Sequence, residues 1–434
     1  MIVMTAFMLL PLGALALRSA ILPQVAPFWS AQPAIDPHAL ELGDFISFGK
    51  YGAVSWAQLD GNRCVAKRAS DGAEWMETPS VDELKLAAVR SAEYLETEAL
   101  VNRLMNERAP SLELHSQMVA PYLGTCVKEG CRYLVWRAAG VETLDDYLCD
   151  AQRLPELARA LDCSEKELPR RVLHDVLRCL AHVHACGIAH RDIKPGNVLV
   201  DVEAHTLRLI DFGSAADCSG WLVAKRGGLR DDRLPLTVLF TAAGSTRFDD
   251  RASWYKFDIY AAALVWLCVA VPELAADDEL LYELRIALRD HENDPDAWRR
   301  SCDGEHGAEQ PSDGCAVPAS KGFGRVFGWR AARPLRQWRR VFRVFRKRPT
   351  AEGGEGGEQE RAWQLLTSLL ELDPSRRPSA AEALLGKYLN YECSEAEMPM
   401  SAPEPWTIEA LVGSVGAAPP RVMAADECAL PPGE

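Results

Sequence analysis

The polar and apolar positions of this chain change rhythm near its first third. Phe45 to Gln58 alternates around Gly49 and Gly52, which predicts a strand, a tight turn and a second strand. Cys64-Val65-Ala66-Lys67 continues the strand character, and Met118 to Leu123 and Arg132 to Trp136 are further apolar strands. Between them Tyr94 to Arg108 is helical in composition, with Leu100 and Leu104 one turn apart and Pro110 closing the run. Arg137-Ala138-Ala139-Gly140 follows the last of these strands. Beyond it, Leu173, Val176, Leu177, Leu180 and Val183 recur at helical spacing. Asp258 to Val271 is apolar nearly all round, as a helix buried on every side must be. Strands first and helices afterwards predict an α+β chain of two lobes: a small β-rich lobe over 37–140 and a larger helical lobe over 141–392.

Composition adds limits to this outline. A chain of 434 residues exceeds a single compact core, so two packed parts with appendages are expected. A formal net charge of -14 argues against a general nucleic-acid binder. The 13 cysteines lack the paired short spacings of a zinc site and read as reduced thiols; the close pair Cys126 and Cys131 brackets a hairpin turn. Ile2 to Leu17 is apolar, broken by Pro11 and Gly13 and closed by Arg18, and is short of the roughly 20 residues that span a bilayer. A cleaved targeting segment, an anchor extended through Trp29 and a misassigned start all remain open for residues 1–36, which end in a Pro-rich linker. The Pro-, Ala- and Glu-rich stretch 393–434 reads as a disordered tail.

The chemistry concentrates between His190 and Gly213. His190-Arg191-Asp192-Ile193-Lys194-Pro195-Gly196-Asn197 places a lysine two residues after a carboxylate and an amide three beyond that. Ile210-Asp211-Phe212-Gly213 adds a second carboxylate after a short apolar strand. Phosphoryl transfer needs a carboxylate to orient the attacking hydroxyl, a cation on the phosphate and oxygen ligands for magnesium. The stretch resembles the protein-kinase catalytic loop H-R-D-x-K-x-x-N followed by D-F-G, at the separation that family uses. Ser47-Phe48-Gly49-Lys50-Tyr51-Gly52-Ala53-Val54 is similar to its glycine-rich loop, with Ser47 at the first glycine position, and Lys67 follows on the next strand.

The resemblance implies a two-lobed kinase fold using ATP and Mg2+. Asp192 would orient the substrate hydroxyl and Lys194 steady the γ-phosphate. Lys67 would hold the α- and β-phosphates, and Asn197 and Asp211 would bind magnesium. Ser47, Gly49, Gly52 and Val54 would cover the nucleotide; Val65 and Leu199 would contact the adenine and Trp136 wall off its pocket. Lys194 fits a kinase of serine or threonine. A helix glutamate must pair with Lys67, and Glu96, Glu98 and Glu107 are the candidates; Glu107, about a dozen residues before the next strand, is preferred. Relative to the family, residues 71–93 and about 300–360 read as insertions. No A-P-E follows the D-F-G: Pro235-Leu236-Thr237-Val238 stands there, so Arg377 is expected to lack an ion pair. This loss and Ser47 keep a pseudokinase scaffold as the alternative reading. Asp258 is expected to hold the backbone of the catalytic loop.

A narrower resemblance runs from Leu104 to Leu389. Met105-Asn106-Glu107-Arg108, Tyr133-Leu134-Val135-Trp136, Val141-Glu142-Thr143-Leu144, the Ser214-Ala215-Ala216-Asp217 that follows D-F-G, Lys256-Phe257-Asp258-Ile259-Tyr260 and Ala297-Trp298-Arg299 are similar to the chloroplast thylakoid kinases of light-harvesting and photosystem proteins. It implies plastid localisation, thylakoid protein substrates and an apolar anchor in residues 1–29, and it also favours Glu107. The paired N-terminal cysteines of that family have no counterpart, the first cysteine being Cys64. A soluble cytoplasmic kinase outside plastids is the rival. Arg325 to Arg348 holds ten basic residues and no acidic one, with Leu335, Trp338, Phe342 and Phe345 on one helical face. It reads as a membrane-surface helix or as a helix packed on the large lobe.

Overall fold

A computed structural model describes residues 34–49, 51–70, 79–218, 252–291, 294–297 and 355–389. The apolar segment 1–33, the Pro235–Val238 stretch, the basic segment Arg325–Arg348 and the tail 393–434 lie outside the described residues.

Five antiparallel strands make the small lobe: β1 (Leu40–Phe48), β2 (Gly52–Leu59), β3 (Asn62–Ala69), β4 (Tyr122–Lys128) and β5 (Cys131–Arg137), in the order β1-β2-β3-β5-β4. The β4–β5 turn uses Glu129 at φ 53° and Gly130 at φ 73°, the left-handed pair that a two-residue hairpin demands. Cys126 and Cys131, which flank it, are free thiols. Strand alternation divides β3: Cys64 and Ala66 pack with Leu40, Ala57, Cys126 and Val135, while Val65 and Lys67 face a cavity on the other side.

Helix α1 (Val81–Arg108) is far longer than the helical stretch read from the sequence. It begins where Ser80 and Glu83 cap each other: Ser80 Oγ accepts from the Glu83 amide, and the Glu83 carboxylate accepts from the Ser80 amide at 2.8 Å. Residues 81–93 are therefore the first turns of this helix. Most of them are exposed and show no apolar stripe, so their sequence carries no periodic helical signal. Farther along, Leu95 and Ala99 pack on Tyr122, Leu134 and Trp136 of the sheet, whereas Val101 and Met105 join the core of the helical lobe. One helix thus belongs to both cores. A short helix, α2 (Leu112–Met118), capped by Ser111, occupies the start of the stretch read as strand, and β4 begins only at Tyr122.

The helical lobe contains α3 (Leu144–Leu148), α4 (Leu154–Ala160), α5 (Leu168–Ala185), α6 (Ala252–Ala270), α7 (Asp278–Asp290), α8 (Glu355–Leu369) and α9 (Ala380–Leu384). Two small sheets, β6 (Ile188–Ala189) with β9 (Ala216–Asp217) and β7 (Val198–Asp201) with β8 (Thr206–Leu209), carry the catalytic motifs. Ile259 to Val269 of α6 are all buried, which explains its continuous apolar run. Among the described residues no helix is long and apolar enough to cross a membrane.

Arg377, expected to lack a partner, is satisfied differently. Its guanidinium is 2% exposed and donates to the Glu371 carbonyl at 3.1 and 2.6 Å and to the carbonyl of Lys256. It lies 5.2 Å from the centre of the Tyr260 ring. Burial pulls its pKa down to about 10, with nearby Tyr260 and Glu371 opposing the shift. Among the described residues, backbone carbonyls are the acceptors that satisfy this buried guanidinium.

Candidate active site

A cavity of about 580 Å³ lies between the sheet and the helical lobe, and Ser47, Gly49, Gly52, Val54, Val65, Lys67, Trp136 and Leu199 all line it. Asp192, Lys194, Asn197 and Asp211 line it too. Gly52 and Gly140 are there for room. A Cβ on Gly52 would stand 2.7 Å from Lys67 Cε; one on Gly140, at φ 112°, would stand 2.7 Å from the Val200 carbonyl oxygen. Trp136 packs its ring 5.6 Å from that of Tyr122, closing the cavity at the end of β5.

Lys67 is the hub of the upper wall. Its Nζ donates to Glu98 Oε2 at 2.8 Å and to Asp211 Oδ1 at 2.9 Å. Burial works against the lysine's charge, but the two carboxylates outweigh it and hold the ammonium above its ordinary pKa. Burial raises the Glu98 carboxyl to about 7, with Lys67 offsetting only part of the rise. Burial also opposes ionisation of Asp211, yet Lys67, Lys194 and His190 together keep its carboxyl below the ordinary value. Asp211 therefore carries the firmer negative charge of the two.

The expected pairing of Lys67 with Glu107 is corrected: its partner is Glu98. Nine residues along an α-helix turn about 900°, so a side chain at 107 points opposite to one at 98 and lies roughly 13 Å farther along the axis. Glu107 is 58% exposed on its side chain and faces Arg103 at 3.6 Å. Glu96 is likewise not on Lys67. The Ser80/Glu83 cap fixes the helix start and leaves Glu107 on the last turn, with Glu96 and Glu98 mid-helix.

The lower wall is held by Asp258 at 0% exposure. Its carboxylate accepts from the amides of His190 at 2.8 Å and Arg191 at 2.7 Å, and meets His184 Nε2 at 2.9 Å. His190 Nδ1 accepts the Asp192 amide at 3.3 Å, so the imidazole is protonated at Nε2, which reaches the Ile210 carbonyl at 3.0 Å. The His190 ring also lies 4.6 Å from Phe212 of the D-F-G turn. Asp192 Oδ2 receives Lys194 Nζ at 2.8 Å and Asn197 Nδ2 at 2.9 Å. Asn197 Nδ2 also donates to the Asp192 carbonyl at 2.7 Å, so both contacts use its amide nitrogen and neither uses its oxygen. A carboxylate held by a lysine and an amide thus faces a lysine shared by two carboxylates across one cleft, an arrangement suited to a polyphosphate above and an attacking hydroxyl below.

Comparison with known proteins agrees with this geometry. The chain is similar to the serine/threonine-protein kinase STN8, chloroplastic, of Arabidopsis thaliana, at 28% identity over 54% of this chain and 52% of that protein. It is also similar to the serine/threonine-protein kinase STN7, chloroplastic, of the same plant, at 24% identity over 66% of this chain and 49% of that protein. It spans about half the length of these curated relatives. A crystal structure of a Stt7 homolog from Micromonas algae, soaked with ATP, shares the fold with a TM-score of 0.57 at 21% identity, covering 84% of this chain and 96% of that one. A family model described as the protein kinase domain matches residues 80–389. That span runs from the serine that caps α1 to the end of the helical lobe, so the chain belongs to the protein kinase family.

Proposed function

We propose that the chain is an ATP-dependent protein kinase that phosphorylates serine or threonine. The observation that carries this is the pairing across one cleft of Lys67, held by Glu98 and Asp211, with Asp192, held by Lys194 and Asn197. Lys67 would hold the α- and β-phosphates, Val65, Trp136 and Leu199 the adenine, and Ser47, Gly49, Gly52 and Val54 would cover the nucleotide. Asp192 would accept a hydrogen bond from the substrate hydroxyl and take its proton late in transfer, while Lys194 steadies the phosphoryl group. Asp211, kept ionised, and Asn197, whose amide oxygen neither contact to Asp192 uses, fit a divalent cation; magnesium bound there would neutralise the phosphate oxygens.

The natural substrates we infer are chloroplast proteins, those of the thylakoid first, and the plastid is the inferred location. The support is the similarity to two kinases named as chloroplastic. The test is radiolabel transfer from ATP with magnesium to a general serine/threonine substrate and to isolated thylakoids, by the wild type and by Asp192→Asn. Transfer that disappears in Asp192→Asn supports the reading. Nucleotide binding without transfer by the wild type would make the chain a scaffold, and labelling of the general substrate without any thylakoid protein would remove the plastid assignment.

A further inference from the structure

Two tyrosines at the roof of the cavity are unused by the roles assigned so far. Tyr51 stands between Gly49 and Gly52, in the turn joining β1 to β2, which the Gly49 amide closes on the Gly52 carbonyl at 2.8 Å. Tyr94 is on α1, one turn before Glu98. Their rings stack with centroids 4.0 Å apart and planes 9° from parallel. Tyr94 also reaches the D-F-G turn. Its hydroxyl accepts from Ser214 Oγ at 3.3 Å, and its Cδ1 lies 2.6 Å from where a Cβ on Gly213 would stand. One ring therefore touches the β1–β2 turn and the segment that follows Asp211, and it sits on the helix that carries Glu98.

We propose that Tyr94 is a positioning residue that latches the phosphate-covering turn, through Tyr51, in its closed position and ties that closure to the D-F-G turn. The proposal rests on reading the cavity as the nucleotide site. A Cβ on Gly49 would meet nothing within 4 Å, so that glycine does nothing to hold the turn down. A stacked aromatic pair shifts an equilibrium by roughly two- to tenfold. A ligand that needs the closed turn loses affinity in proportion to the fraction closed. On that reading ATP would touch the turn through its phosphates, which adenosine lacks.

The test is the dissociation constant of ATP with magnesium, and of adenosine, for the full chain. It compares the wild type with Tyr51→Ala, Tyr94→Ala, the double variant and Tyr94→Phe. Each alanine variant is expected to weaken ATP two- to tenfold and leave adenosine within twofold. The double variant should be no weaker than the worse single, because both remove one contact, and Tyr94→Phe should recover the affinity by restoring the ring. Loss below twofold for ATP, independent effects that multiply in the double variant, or equal loss of adenosine overturns the latch; the last would mean that the helix itself was displaced. Should Tyr94→Ala not fold, Tyr51→Ala decides by the same thresholds. A wild type that binds neither ligand sinks the nucleotide reading, a failure distinct from that of the latch.

Discussion

Replacing Glu98 by glutamine should separate activity from stability. Glu98 is 3% exposed and holds Lys67 at 2.8 Å, and losing one partner of a buried ion pair ordinarily costs about 3–5 kcal/mol. Two features of this site shrink that cost. Lys67 keeps Asp211 at 2.9 Å, so its ammonium is not left alone. Burial has also raised the Glu98 carboxyl from 4.5 to about 7, an order-of-magnitude penalty of ~3 kcal/mol at 1.36 kcal/mol per pKa unit, and glutamine does not bear it. The expected net destabilisation is about 0–2 kcal/mol by denaturant melting, as the difference of those effects. Activity should nevertheless fall roughly 100-fold in kcat/KM, because a lysine without its helix partner is misplaced on the phosphates. Lys67→Met combined with Glu98→Gln should be little worse than either alone, since the two act as one unit. Glu107→Gln removes only an exposed contact to Arg103 at 3.6 Å and should change stability by about 0.5 kcal/mol or less, leaving activity intact. A crippled Glu107→Gln beside a Glu98→Gln within threefold of the wild type would refute the assignment.

Three further outcomes follow from the same geometry. His115 and His182 share a buried 2.8 Å contact; burial, then the His182 charge, drops His115 to about 3, and burial drops His182 to about 4. Native pKa values below the unfolded value near 6.5 give stability that is present above that pH and lost as pH falls from 6.5 towards 4, by up to about 2.7 kcal/mol per pH unit for two protons; urea melts at pH 7.5 and 5.5 should show the fall, and a His115→Phe, His182→Leu variant should lack most of it. Asp258→Asn should cost about 2–4 kcal/mol and most activity, because an amide NH2 must now face one of the donors at 2.7–2.9 Å; a melt and a rate assay check both. Gly140→Ala should cost at least about 1–3 kcal/mol by melting, from a φ of 112° and the Val200 carbonyl 2.7 Å from the new Cβ.

What the sequence made legible was what local chain geometry determines. Asp192, Lys194 and Asn197 lie within one short loop, and their mutual contacts follow from that loop's own backbone. Asp211 sits two residues past the end of β8, after Ile210, so its approach to the cleft is set by strand register. Lys67 was legible because alternation on β3 sends it and Val65 to the same side. Glu98 was not, because Glu96, Glu98 and Glu107 all suit a helix surface. Which of them faces the lysine depends on how α1 is rotated, and that is decided by Leu95 and Ala99 against the sheet and by Val101 and Met105 against the other core. The Arg377 cage of carbonyls was illegible for a similar reason: a backbone acceptor leaves no residue type to read.

The double membership of α1 also bears on how the site is kept in register. Asp211 has a left-handed backbone, φ 64° and ψ 69°, which aspartate tolerates better than most residues but does not choose unaided. Three contacts from separate parts of the chain oppose its relaxation. Lys67 binds its carboxylate from the sheet, Phe212 rests on the His190 ring, and Tyr94 fills the space beside Gly213. His190 is in turn fixed by Asp258, on the helix at the centre of the large lobe. The position of Asp211 relative to Asp192 is thereby set by α6 from below and by β3 and α1 from above. A shift of α1 that took Glu98 off Lys67 would also move Tyr94 away from Gly213, so ion pair and D-F-G turn should loosen together.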